Sequence, residues 1–191
     1  MASSSLSICN SALIKIGAER ISSLSDQNKR AIACNEQYDK LRKEVLEARK
    51  WNFNLKRQAL SQDATAPAFG YSYRYQLPSD CIKPWNVYDS SGYENKDNWV
   101  EENGFILTDW ATVNLLYGYN LTDTTKFSAM FDEALALRIA ADIAYHVVQS
   151  LSLSEKMLGA YDDFLRSAST SNAQTGVPDE PIEGDWITSR L

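Results

Sequence analysis

Lys29-Arg-Ala31-Ile-Ala-Cys34-Asn-Glu-Gln-Tyr38-Asp-Lys-Leu41-Arg-Lys-Glu-Val45-Leu-Glu-Ala48-Arg-Lys-Trp51-Asn-Phe53 reads as a helix that runs into a sheet. Ala31, Cys34, Tyr38, Leu41, Val45 and Ala48 fall at alternating spacings of three and four, one apolar stripe on a helical cylinder, while Glu36, Lys40, Lys43, Glu44 and Glu47 lie elsewhere around it. Helical spacing stops at Trp51. Alternation takes over in 53–60, which predicts a strand with Phe53 and Leu55 on one face and Lys56 on the other. In 71–77, Tyr71, Tyr73, Tyr75 and Leu77 alternate with Ser72, Arg74 and Gln76, the pattern of a half-buried antiparallel strand. Pro78, lacking the N–H that a ladder needs, ends it. Nothing here has the form of a catalytic site. Trp51, Phe53, Tyr73 and Tyr75 are expected in the core that defines the fold.

Toward the N-terminus, Leu6, Cys9, Leu13 and Ile16, with Ile8 and Ala12 beside them, predict a short amphipathic helix over about 4–17, opened by a choice of serines and closed by Gly17. Asp26 or Asn28 is placed to cap the second helix, over about 29–51. Beyond the first strand, 61–69 carries Asp63, Thr65 and Pro67 without periodicity and reads as a loop. Short apolar runs then alternate with polar turns: 85–88, the turn 89–92, 98–100, 104–107 and 113–119. The β subdomain, about 53–120, is therefore expected to be one small antiparallel sheet.

Thr122 and Thr125 offer caps for a third helix over about 127–150. Met130, Ala134, Leu137, Ala141, Ala144 and Val148 form one stripe and Phe131, Leu135, Ile139 and Ile143 a second, so this helix is expected between partners. Ser154 opens a fourth over about 154–169, with Met157, Tyr161, Phe164, Leu165 and Ala168 on one side. The expected fold class is α+β: a four-helix bundle with a small antiparallel β-sheet insertion over 1–170 and an extended C-terminal tail over 171–191. That tail has two prolines, little apolar content, and Asp179, Glu180, Glu183 and Asp185. Yet Trp186 and Ile187, near Arg190, are anchors that a purely solvating tail does not need, so it either folds back on its own domain or docks on a neighbouring subunit or partner.

With 191 residues the chain is long enough to bury a substantial core, and 44% hydrophobic with 23% charged residues is an ordinary globular composition. A net charge of −6 argues against a free-standing nucleic-acid binder. No apolar run approaches the roughly 20 residues of a membrane span, and Met1-Ala-Ser-Ser-Ser does not read as a signal peptide, so synthesis in the cytoplasm is expected. Cys9, Cys34 and Cys81 are widely spaced without a C-x-x-C pair and read as structural thiols.

Chemistry is hard to find. His146, the single histidine, sits among Ala144, Tyr145, Val147 and Val148, a setting for a core or interface imidazole rather than a triad or zinc ligand. Glu101-Glu102 and Asp132-Glu133 are neighbours in sequence, and side chains one apart diverge, so neither pair is a carboxylate dyad by itself. G-x-x-x-x-G-K-S/T, G-x-G-x-x-G and G-x-S-x-G are all absent. No catalytic residue, cofactor or metal is expected. Lys40, Arg42, Lys43, Arg49, Lys50, Lys56 and Arg57 concentrate positive charge, and the tail is negative. Such a run is either a solvated helix face or charge complementarity between neighbours, and Arg42, Lys43, Arg49 and Lys50 are the candidate subunit contact charges.

Several ordered matches give the chain a family likeness: Tyr38-Asp39 with Arg42-Lys43-Glu44-Val45-Leu46, then Trp51-Asn52-Phe53, Lys56-Arg57, Tyr75-Gln76-Leu77-Pro78-Ser79-Asp80-Cys81, the run 127–144 and Asp185-Trp186-Ile187 with Arg190. In these it resembles the tail tubular protein A family of short-tailed bacteriophages, the head-to-tail adaptors. The resemblance implies a virion protein of the phage tail that forms a homo-oligomeric ring, a dodecamer in the family, between the portal protein and the tail nozzle protein of the tail tubular B type. It implies a platform for tail assembly and tail fibres, and a lumen through which DNA passes at ejection without specific binding. The helices would then build the ring wall, the sheet would face the nozzle or fibres, and Trp186, Ile187 and Arg190 would anchor the tail at the portal or the adjacent subunit. Two rival readings are a virion-associated cell-wall glycosidase, which needs two carboxylates across a groove, and a cellular helical binding module, which would be a monomer.

Overall fold

The computed structural model describes residues 3–95 and 98–173. Helices α1 (Ser5–Lys15) and α2 (Lys29–Ala48) precede the strands, and α3 (Ala129–Val148) and α4 (Leu151–Ala173) follow them. Each start has a local cause. The Ser4 hydroxyl accepts from the Ser7 amide in a capping box, Asn28 Oδ1 accepts from the Ala31 amide, and Ser128 Oγ from the Phe131 amide. Ser128, rather than Thr122 or Thr125, therefore starts α3. Gln149, at φ 57°, ends it, and Ser150 Oγ accepts from the Leu153 amide so that α4 opens at once, ahead of the expected Ser154.

The centre of the helical layer is α3, touched by α1, α2 and α4. Its two expected stripes both bury: Phe131, Leu135, Ile139 and Ile143 on one side, Ala134, Leu137, Ala141 and Ala144 on the other, and Ala136 and Ala140 keep the helix slim enough for three neighbours. Ile8, Cys9 and Leu13 of α1 and Cys34, Leu41 and Val45 of α2 complete this core. Burying each large aliphatic or aromatic side chain here contributes about 1.5–3 kcal/mol.

Seven strands lie between α2 and α3 among the described residues: β1 (Leu55–Leu60), β2 (Tyr73–Gln76), β3 (Cys81–Tyr88), β4 (Glu94–Asn95), β5 (Trp99–Glu102), β6 (Phe105–Thr108) and β7 (Val113–Tyr119). They form two antiparallel sheets, one ordered β1-β7-β3-β4 and the other β2-β6-β5. The bundle with one small sheet is thus corrected: among the described residues four helices accompany two sheets of four and three strands. The reason is pairing at a distance. The first strand pairs with the last, with Leu55 opposite Gly118 and Leu60 opposite Val113, while β2 pairs with β6, so the strands divide between two sheets. Helix α4 continues past 169 to Ala173 and so takes the first three residues of the expected tail, while the rest of it, 174–191, lies outside the described residues.

Tyr75 and Ile106 of the smaller sheet pack against Val87, Val113, Leu115 and Tyr117 of the larger, which makes a second core. The turn between β5 and β6 is Asn103-Gly104, with φ of 50° and 81°, the two positive values that a tight hairpin matching strand twist requires. Pro84 sits inside β3 opposite Tyr117 of β7, flanked by register irregularities, on a stretch that β4 does not reach, the edge setting in which a strand tolerates a missing N–H.

Candidate functional site

Helices and sheets meet where the basic run lies. Residues 52–54 form a 3-10 turn, so Phe53 is not in the strand: it turns back into the helical core, where its ring centroid lies 5.2 Å from Phe131 and 6.0 Å from Phe127. Trp51, buried, stands edge-on to Phe131 at 5.3 Å, and its indole N–H donates to the Val45 carbonyl at 2.9 Å, which fixes the end of α2.

Arg42 is 2% exposed. Its Nη1 donates to Asn120 Oδ1 at 2.9 Å and to the Leu121 carbonyl at 2.6 Å, and its Nε lies 3.4 Å from Asp39 Oδ1. A subunit contact charge would have to reach solvent, so this assignment is corrected: Arg42 ties α2 to the chain leaving β7. Arg42 stands at i+4 from Tyr38 and three before Val45, at the edge of the apolar stripe, and what the sequence does not show is which part of the chain returns over it.

The other three candidates divide. Lys43 is exposed. Arg49 Nη1 donates to the Leu165 carbonyl of α4 at 3.1 Å, its guanidinium lies 5.5 Å from the Trp51 ring centroid, and burial lowers its pKa. Lys50 Nζ donates to Asn86 Oδ1 of β3 at 2.7 Å. These two residues, adjacent in sequence, therefore touch the last helix and the larger sheet. Further cations cover nearby rings: Lys56 over Tyr119 at 4.1 Å, Arg57 over Tyr88 at 5.7 Å and Lys83 over Trp85 at 4.9 Å. Lys83, which the basic run in sequence does not include, joins the group because β3 lies beside the end of α2, and its Nζ reaches the Glu47 carbonyl at 3.4 Å.

Asp80 is a polar joint at the edge of the second core. It accepts from Lys56 Nζ at 2.6 Å and from the Tyr117 hydroxyl at 3.1 Å. The bond from Lys56 is the main cause that holds its carboxyl below the usual range, and burial pushes the Tyr117 phenol up to about 12.

His146 is exposed in the last turn of α3, which excludes the core and leaves the interface of the two expected settings. Glu101 and Glu102 both face solvent. Glu133 pairs with Lys15, and Asp132 accepts from the Ser3 hydroxyl; burial raises the Asp132 pKa. Cys9 and Cys34 are buried, and hydrogen bonding to Cys34 together with burial raises the Cys9 pKa. Among the described residues no three His, Cys, Asp or Glu side chains are grouped as metal ligands would be. Trp186, Ile187 and Arg190 lie outside the described residues. No family model and no curated protein matches the chain.

Proposed function

We propose that this chain is a non-enzymatic structural subunit, a head-to-tail adaptor of the short-tailed phage type. Copies of it assemble into a ring between a portal and a tail nozzle, and genomic DNA passes through the lumen. The observation that carries the reading is where the resembling residues stand in the fold. Of those residues Tyr38, Arg42, Val45, Leu46, Trp51 and Tyr75 are buried and Asp80 bonds Tyr117 at the edge of the second core, whereas Asp39, Lys43, Asn52, Lys56, Arg57, Gln76 and Ser79 are exposed, so part of the likeness falls on side chains that set how helices and sheets meet. A second support is the apolar surface at one end of the bundle. A cleft of about 490 Å³ opens there, lined by Gly17, Ala18, Val147 and Val148 together with the polar Glu19, Asn28, Lys29 and Arg30, and Ile14, Ile32 and Tyr145, one turn or less from lining residues, are exposed. Exposed apolar surface of this kind suits subunit contact. A ring of identical copies needs heterologous, head-to-tail contacts that close by rotation.

The test is the mass of the purified protein by light scattering, alone and mixed with its cognate portal. A ring that forms on the portal supports the adaptor; a monomer indifferent to portal overturns it.

A further inference from the structure

The outer face of the larger sheet, turned away from the second core, carries a mixed basic and aromatic surface. Strand register places Arg57 of β1, Leu116 of β7 and Asn86 of β3 in one row, and Ala59, Asn114 and Tyr88 in the next. The Arg57 guanidinium reaches across to the Tyr88 ring, and beside them opens a cleft of about 460 Å³ lined also by Ser90, Ser91 and Asn114. Trp85 lies over Gly118 on the same face, with the Lys83 ammonium at its ring. Lys50 extends onto the face from the end of α2, and Glu94 accepts there from Asn86.

Two observations bear on what covers this surface. Arg49, next to Lys50, holds the Leu165 carbonyl, so α4 passes beside these cations on its way out of the described structure. From Leu165 the helix advances only about 12 Å to Ala173, and the six residues to Asp179 span up to about 20 Å, enough to return past Arg49. Those next residues bring the complementary charge, Asp179, Glu180, Glu183 and Asp185, followed by Trp186.

We propose that the acidic segment 179–186 docks on the outer face of its own four-stranded sheet, with its carboxylates against Arg49, Lys50, Arg57 and Lys83 and its indole at the Arg57–Tyr88 cleft. The inference does not depend on the adaptor reading, since it concerns a single chain. Opposite charges in water attract over a Debye length of about 8–10 Å, which shrinks to about 3 Å in 1 M salt. Docking is therefore salt-sensitive.

Amide spectra of the ¹⁵N-labelled full chain test it. Neutralising the segment with Asp179→Asn, Glu180→Gln, Glu183→Gln and Asp185→Asn should shift the signals of Arg57, Asn86, Tyr88 and Asn114 and leave those of α1 in place; 1 M NaCl applied to the unsubstituted chain should do the same. These substitutions lie beyond α4, and salt gives a second perturbation that needs no variant. Signals that ignore both changes overturn the proposal. Shifts that vanish on dilution place the segment on a neighbouring copy and overturn it too, as does single-stranded oligothymidylate that binds this face with equal affinity in the unsubstituted chain and in the neutralised variant, since a docked acidic segment would compete with it. A protein that shows the shifts but forms no ring on the portal fails only as an adaptor; one that forms the ring without the shifts fails only this proposal.

Discussion

Replacing Arg42 by alanine separates two roles for one cation. If Arg42 were a contact charge between subunits, R42A would fold normally and lose assembly. Its burial and its two close bonds, to Leu121 O at 2.6 Å and Asn120 Oδ1 at 2.9 Å, make it a fastener within the chain. Each charge-assisted bond is worth about 1.5–3 kcal/mol. Asp39, 79% exposed, adds less than about 1 kcal/mol because water screens the pair. Truncation also strands the neutral Leu121 carbonyl and Asn120 amide, and losing the two charge-assisted bonds together costs about 3–5 kcal/mol in total. For a chain of this size that loss lowers the melting temperature by about 6–20 °C. Urea unfolding followed by circular dichroism reads it directly, with K43A as the exposed neighbour expected to change stability by about 0.5 kcal/mol or less. Lysine at position 42 keeps the charge but not the planar fork, so R42K should fall between the two. A loss below about 1 kcal/mol in R42A, the scale of an ordinary surface substitution, would refute the fastening role.

The two helix and strand glycines should respond oppositely. A Cβ at Gly118 would meet Trp85 Nε1 at 3.1 Å and Asn54 Nδ2 at 3.3 Å, so G118A is expected to cost about 1–3 kcal/mol by overpacking. Gly159, inside α4, has nothing within 4 Å of the added carbon, so G159A should stabilise by about 0.5–1 kcal/mol; thermal melts of both variants check the pair. Phe131, fully buried where Trp51, Phe53 and Phe127 converge, should cost about 3–5 kcal/mol on truncation to alanine, read by urea unfolding. Burial pushes the phenols of Tyr117 and Tyr161 up to about 12 from an ordinary value near 10. The folded state thus favours their neutral form, and the stability they contribute, full below pH 10, should drain away as pH rises toward 12; chemical unfolding measured across that range, with Y161F flattening the loss, checks the sign.

Much of the helical layer was legible before any coordinates. The spacing in 29–48 and the double stripe of 129–148 report which faces meet apolar neighbours, because a helix imposes its period on burial along its own length. Capping was partly legible: Asn28 caps α2 as one of two candidates, but Ser150 supersedes Ser154 because Gln149 takes a left-handed conformation that turns the corner in so few residues. The strands were mostly legible as segments, and β4, two residues long, was not, since so short a run has no period to read.

By itself the sequence determined the four helices, the aromatic junction at Trp51, the core thiols Cys9 and Cys34, and the basic run with its acidic counterpart near the C-terminus. Each is a property of a contiguous segment. Tertiary structure alone decided that β1 pairs with β7 and β2 with β6, which turns one sheet into two, and that Arg42 is sealed inside while Lys83 joins Arg49 and Lys50. Partner choice depends on segments far apart in the chain, and although its spacing sets Arg42 at the edge of the apolar stripe, its partners at Asn120 and Leu121 come from the returning chain, which local spacing does not write.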